Sequence, residues 1–124
     1  MFSASITPAS CATALAALNV IREHPERVER LAQLGDYMRE GLKKRGVPII
    51  EARTPIVPIY TYEPEKTLII AKKLFEEGVY VNPVLPPACA PGECLLRTSL
   101  MATHTEPILD EAMDIIQRVL QEYT

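Results

Sequence analysis

The chain has 124 residues, a formal net charge of -3, 48% hydrophobic and 23% charged residues, which fits one compact domain and excludes a disordered chain. The slightly acidic balance offers no basic patch for a nucleic-acid backbone. Phe2 to Ile21, the longest uncharged stretch, is rich in Ala, Ser and Thr and contains Pro8, so it reads neither as a membrane span nor as a signal peptide.

Pro8 opens the first helix, with Cys11, Ala14, Leu15, Leu18 and Ile21 on one face and enough alanine around them to suggest close packing on another element. His24-Pro25 ends it. A second helix runs from about Pro25 to Arg45 on a stripe of Val28, Leu31, Gly35, Met38 and Leu42, and stops at Gly46. Pro55 to Tyr60 is β-rich, and its prolines point to an edge strand or one with irregular pairing. Pro64 and Glu65 begin a third helix whose inner face is Leu68, Ala71, Leu74 and Phe75, closed by Gly78. Val79-Tyr80-Val81 predicts a strand. Four of the 11 prolines then fall between Pro83 and Pro91, which predicts a stiff extended loop. Leu95 to Leu100 alternates as a strand. Thr105 predicts an N-cap, with Glu106 placed against the helix dipole and Pro107 in the first turn. Ile108, Leu109, Ala112, Ile115, Ile116, Val119, Leu120 and Tyr123 form the clearest amphipathic stripe. The order predicts an α/β or α+β layer, a small sheet with helices on one side.

Phosphate-loop, dinucleotide, zinc-protease and nucleophile-elbow motifs are all missing. Cys11, Cys89 and Cys94 form no C-x-x-C and have no histidine at ligand spacing. They read as reduced thiols of a cytoplasmic protein with no metal site, Cys89 and Cys94 as small buried hydrophobes. Arg97 breaks the local rules, because a guanidinium shares a strand face with Leu95 and Ser99. Such a group either joins a surface ion pair or waits for an anion, and its planar fork suits a carboxylate. The stretch from Val81 to Gly92, containing Asn82, Pro83, Pro86 and Pro87, is either a substrate gate or a plain crossover. His104 is either a proton shuttle or a side chain that bonds the start of the last helix.

Phe2-Ser3-Ala4-Ser5-Ile6-Thr7-Pro8, Tyr80-Val81-Asn82-Pro83 and Leu96-Arg97-Thr98-Ser99-Leu100-Met101-Ala102-Thr103-His104-Thr105 occur in an order and spacing that resemble the C-terminal part of the α-oxoamine synthases. These are pyridoxal 5'-phosphate-dependent acyltransferases that join an amino acid (serine, glycine or alanine) to an acyl-CoA, giving an aminoketone, CoA and usually CO2. The resemblance covers essentially the whole chain. Its spelling looks most like bacterial serine-palmitoyltransferase-like and glycine C-acetyltransferase members.

The resemblance implies a small C-terminal domain of a fold-type I enzyme, a mainly antiparallel sheet with helices on one side. Residues 1–24 would be the leading helix that joins the large cofactor domain, and residues 25–124 the small domain. Arg97 would grip the amino-acid carboxylate. Ser3 and Ser5 would reach the phosphate of the neighbouring subunit's cofactor in a homodimer, and Asn82, Pro83, Pro86 and Pro87 would belong to the substrate loop. The position often held by Thr between the two serines is Ala4 here, and Leu85 stands where some members carry an arginine. The lysine that carries the cofactor, the aspartate at its pyridine nitrogen and the stacked histidine belong upstream of the matched region. Lys43, Lys44, Lys66, Lys72 and Lys73 lack the serine-flanked setting. The chain alone is therefore expected to be inactive. A non-catalytic partner subunit and an 8-amino-7-oxononanoate synthase are the alternatives.

Overall fold

The computed structural model describes residues 5–123. Four helices, α1 (Pro8–Glu23), α2 (Glu26–Lys44), α3 (Pro64–Glu76) and α4 (Glu106–Glu122), alternate with three strands, β1 (Ile56–Tyr62), β2 (Asn82–Val84) and β3 (Cys94–Ser99). The strands form an antiparallel sheet of order β1-β3-β2, so β3 is central and both proline-bearing strands are edges. Edge strands tolerate proline because its missing N–H can face away from the partner. The Pro58 carbonyl points outward and accepts from the Ile50 N–H, so Pro58 takes no bond from the β1–β3 ladder.

Alternation along β1 and β3 puts Val57, Ile59, Leu96 and Thr98 on one face, all buried. Leu34, Met38 and Leu42 of α2, Ile70 and Leu74 of α3, and Leu109, Met113, Ile116 and Val119 of α4 close over that face. The opposite face, with Leu95, Arg97 and Ser99, is half-buried or exposed. This is the expected α+β layer, helices on one side of a small antiparallel sheet.

Several stripes differ from expectation. On α2 the buried set is Leu34, Gly35, Met38, Arg39 and Leu42, while Val28 is exposed. Arg39 is buried because its guanidinium donates to the carbonyls of Thr54 (3.0 Å) and Gly35 (3.3 Å), fastening the 51–55 segment to the helix. On α3 the inner face is Thr67, Ile70 and Leu74; Leu68 and Phe75 point outward. Thr67 goes inside because its hydroxyl is fully paired, 2.6 Å from both the Thr61 hydroxyl and the Glu63 carbonyl. Apolar periodicity cannot register a buried threonine of this kind. β2 begins at Asn82 rather than Val79, inside the stretch read as proline loop, since an edge strand accepts Pro83. Met113 joins the α4 stripe and Ile108 leaves it for solvent. Thr105 stands at the N-cap of α4 without a side-chain cap bond. That end is held instead by Arg30, whose two terminal nitrogens each lie 2.7 Å from an oxygen of Glu106.

α1 has no buried residue. Pro8 opens its first turn, as the sequence predicts, and Thr7 caps it by accepting from the Ser10 N–H at 3.3 Å. Its Leu15, Leu18 and Ile21 are more than half exposed, so the element expected to cover them is not among the described residues.

Candidate functional site

The site is centred on the exposed face of β3. Arg97 lies in the middle of the central strand, with Pro58 opposite it on β1 and Asn82 opposite it on β2. Directly opposed residues of an antiparallel pair share a face, so the guanidinium is flanked by neutral neighbours. Arg97 is exposed and its guanidinium makes no hydrogen bond or ion pair among the described residues. Its behaviour differs from that of Arg30, Arg45 and Arg118, which are engaged by Glu106, Asp114 and Glu77. Those three arginines fasten elements together, whereas Arg97 presents an open fork of donors to whatever lies over the sheet.

Asn82 is braced by the residue two before it. The Tyr80 hydroxyl donates to its Oδ1 at 3.1 Å, and Asn82 in turn lies opposite Arg97 in the β2–β3 pair. Pro83 sits opposite Leu96. Pro86 and Pro87, joined by a cis peptide bond, follow β2 in the turn and are exposed. Thus Asn82 is brought beside Arg97, Pro83 one register position on, and Pro86 and Pro87 farther along the connection. Ser5 is exposed on the segment leading into α1, with no hydrogen bond among the described residues. Ser3 lies outside the described residues.

His104 sits in the turn between β3 and α4. Its Nδ1 accepts the Met101 N–H at 3.2 Å, and the His104 backbone N–H donates to the Met101 carbonyl at 3.0 Å. The ring thereby bonds the turn just before the helix, the structural role among the two offered by sequence. Cys94 is fully buried. Cys89 is half-buried, its thiol donates toward the Val84 carbonyl at 3.6 Å, and burial together with the neighbouring Cys94 pushes it up. Both act as packing groups, Cys89 less completely than expected.

Two clefts border the sheet. One, of about 310 Å³, lies at the outer edge of β1 beside Tyr60, Tyr62 and Lys66. Tyr60 and Tyr62 stack there with ring centres 5.3 Å apart, and Tyr62 holds φ at 67° after a bulge. The other, of about 340 Å³, lies where β3 ends, and sequence reading missed it. Tyr80, Ser99, Met101, His104 and Ile108 form its rim, and buried residues such as Val81 and Leu109 its floor. The only sequence signal for it was the large apolar side chains of Tyr80, Met101 and Ile108 beside turns, where a solvent-facing residue would ordinarily be polar.

Among the described residues, no group of three or more His, Cys, Asp or Glu side chains could hold a metal ion, and no helix is long and apolar enough to cross a membrane.

Comparison with known proteins gives the family and agrees with the fold. The family described as aminotransferase class I and II matches residues 1–116. The chain is 46% identical to serine palmitoyltransferase of Bacteroides ovatus over 114 residues, which cover 92% of this chain and 29% of the relative. It is 34% identical over 119 residues to 8-amino-7-oxononanoate synthase of Thermosipho melanesiensis, covering 96% of this chain and 30% of the relative. Among solved structures, a serine palmitoyltransferase variant from S. paucimobilis with bound PLP–myriocin aldimine superposes with a TM-score of 0.88 at 29% identity, over 98% of this chain and 31% of that one. The chain thus spans less than a third of the length of these relatives.

Proposed function

We propose that this chain, which belongs to the aminotransferase class I and II family and resembles its α-oxoamine synthases, is the C-terminal part of a pyridoxal-phosphate-dependent acyltransferase. The reaction is the condensation of serine, glycine or alanine with an acyl-CoA, giving an aminoketone, CoA and usually CO2. The observation that carries this reading is Arg97, an exposed guanidinium without a protein partner among the described residues, at the centre of the open sheet face.

The residues present fit a share of the cofactor site. The open fork of Arg97 suits the α-carboxylate of an amino acid held on the cofactor, and Ser3 and Ser5 would reach the phosphate of the neighbouring subunit's cofactor in a homodimer. When bound, the cofactor supplies an electron sink for the bond that breaks at the amino acid. This chain's part is positioning. A carboxylate gripped at two points has a fixed plane, and that plane decides which bond stands ready to break. Asn82, braced by Tyr80, fixes the flank of that grip, and Pro83, Pro86 and Pro87 stiffen the adjoining substrate loop.

The lysines argue that the catalytic centre needs more than this chain. Lys43 pairs with Glu51, and Lys72 and Lys73 with Glu76, all on helix surfaces. We place the cofactor-bearing lysine upstream, take residues 1–24 as the helix joining the cofactor domain and 25–124 as the small domain, and expect the chain alone to be inactive. The exposed apolar face of α1 supports that division. The assembled protein would be cytoplasmic. The 34% identity to an 8-amino-7-oxononanoate synthase favours a second reading, in which the parent is an 8-amino-7-oxononanoate synthase rather than a member of the serine or glycine branch. A parent chain without the lysine would instead be a non-catalytic partner subunit.

In the complete protein, Arg97→Ala should raise the KM for the amino acid about 10- to 100-fold, the effect of losing a charge-assisted bond worth about 1.5–3 kcal/mol, with cofactor absorbance unchanged. Arg97→Lys should recover only part of it, because a single ammonium cannot replace the planar fork. An unaltered KM in Arg97→Ala would remove Arg97 from the site.

A further inference from the structure

We infer that the cleft at the end of β3 receives the acyl chain of the acyl donor, and that Tyr80, Met101 and Ile108 at its rim set the chain length accepted. The inference rests on the acyltransferase reading above and deepens it by assigning the acyl subsite.

The first argument is position. Ser99 is both a rim residue of the cleft and the next residue after Arg97 on the same face of β3. Two residues along an antiparallel strand are about 7 Å. Tyr80 ties the two places together a second time, since it lines the cleft and donates its hydroxyl to Asn82, the register partner of Arg97. A donor whose thioester carbon meets the amino acid held at Arg97 would therefore have its chain beside the cleft mouth.

The second argument is chemistry. The floor is the apolar core itself, including Val81 and Leu109, and the rim exposes large hydrophobic surface: Tyr80 is 72%, Met101 59% and Ile108 54% accessible. Phe75 extends the apolar surface by packing edge-on against Tyr80, ring centres 6.3 Å apart. A concave apolar site with a few polar groups at one end is the usual form of a site for an apolar ligand with a polar head. Here the polar groups, Ser99, His104 and the Tyr80 hydroxyl, join the apolar side chains on the rim. The Nδ1 of His104 is already used as an acceptor by Met101, which leaves the Nε2 side of the ring to act as donor. No carboxylate lines the cleft, so it carries no charge that would repel or trap a fatty chain.

The test uses the complete protein with its cofactor. CoA release is followed with acetyl-CoA and palmitoyl-CoA, and the ratio of kcat/KM for the two donors is compared between wild type, Ile108→Trp, Met101→Trp and Met101→Ala. Filling the cleft with either Trp should lower the palmitoyl-to-acetyl ratio about tenfold or more, the discrimination a few methylenes supply in an apolar pocket. Met101→Ala, which opens the mouth, should not lower it, and it keeps the test alive if a Trp variant fails to fold. A ratio unchanged in folded, cofactor-loaded variants would overturn the assignment while leaving the acyltransferase reading intact. A changed oligomeric state with an unchanged ratio would also overturn it, since the cleft would then be covered by protein. Wild-type protein silent with both donors, and with every other acyl-CoA tried, would overturn the acyltransferase reading and this inference together.

Discussion

Glu106 and Arg97 show how the same charge chemistry serves two ends. Glu106 is half-buried between α2 and α4, and the paired bonds from Arg30, helped by the backbone N–H bonds at the start of α4, hold its carboxyl down at about 2 against an ordinary 4.5. A carboxyl whose folded value is depressed stabilises the fold above its unfolded value and loses that contribution as pH falls through the folded one. Glu106→Gln should therefore lower the thermal midpoint at neutral pH by a modest amount. The gap to wild type should close between about pH 4.5 and pH 2, as a series of melting curves would record; a gap that persists at pH 2 would show that packing, not charge, is lost. Arg97 has no such partner among the described residues, which is why its replacement is expected to act on substrate affinity rather than on folding.

At the scale of elements, the strongest fastener that sequence reading missed is Arg39. Its aliphatic stem is buried with α2 and its fork holds the Thr54 carbonyl. Arg39→Met keeps much of the volume and removes the bonds, so it should cost about 1–3 kcal/mol, measurable as a shift in denaturant midpoint, because the charge-assisted bonds that fasten the 51–55 segment to α2 are lost. Leu96→Ala in the central strand should cost about 2–5 kcal/mol, since Leu96 is fully buried and the hole left by its three outer carbons is filled only in part by relaxation. Element order, the edge placement of β1 and the exposed face of Arg97 were all legible, because alternation, helical period and proline chemistry are local. What was not legible came from partners outside each element's own periodicity. Thr67 is buried by the Thr61 hydroxyl of β1 and the Glu63 carbonyl, Arg39 by a loop carbonyl 15 residues on, and β2 was displaced into the proline stretch by pairing with β3. Of the candidate site, Arg97 and Asn82 were readable as single residues, but their juxtaposition needed the register and the cleft needed the turn at His104.

For the whole molecule, the arrangement is a sheet with one face sealed by α2, α3 and α4 and the other left open around Arg97, preceded by a helix with no buried residue. Such a layer is suited to work against a further body of protein, and the comparison with relatives more than three times its length agrees with that. The central claim, that the complete protein is a pyridoxal-phosphate-dependent acyltransferase, is tested most directly by CoA thiol release from that protein in the presence of the cofactor. Serine, glycine and alanine would be crossed against short, dicarboxylic and long acyl-CoA donors. Release that requires both an amino acid and an acyl-CoA is the predicted result, with serine and a long chain the best pair for a protein resembling serine palmitoyltransferase. Silence across the whole grid from folded, cofactor-loaded protein would contradict the account.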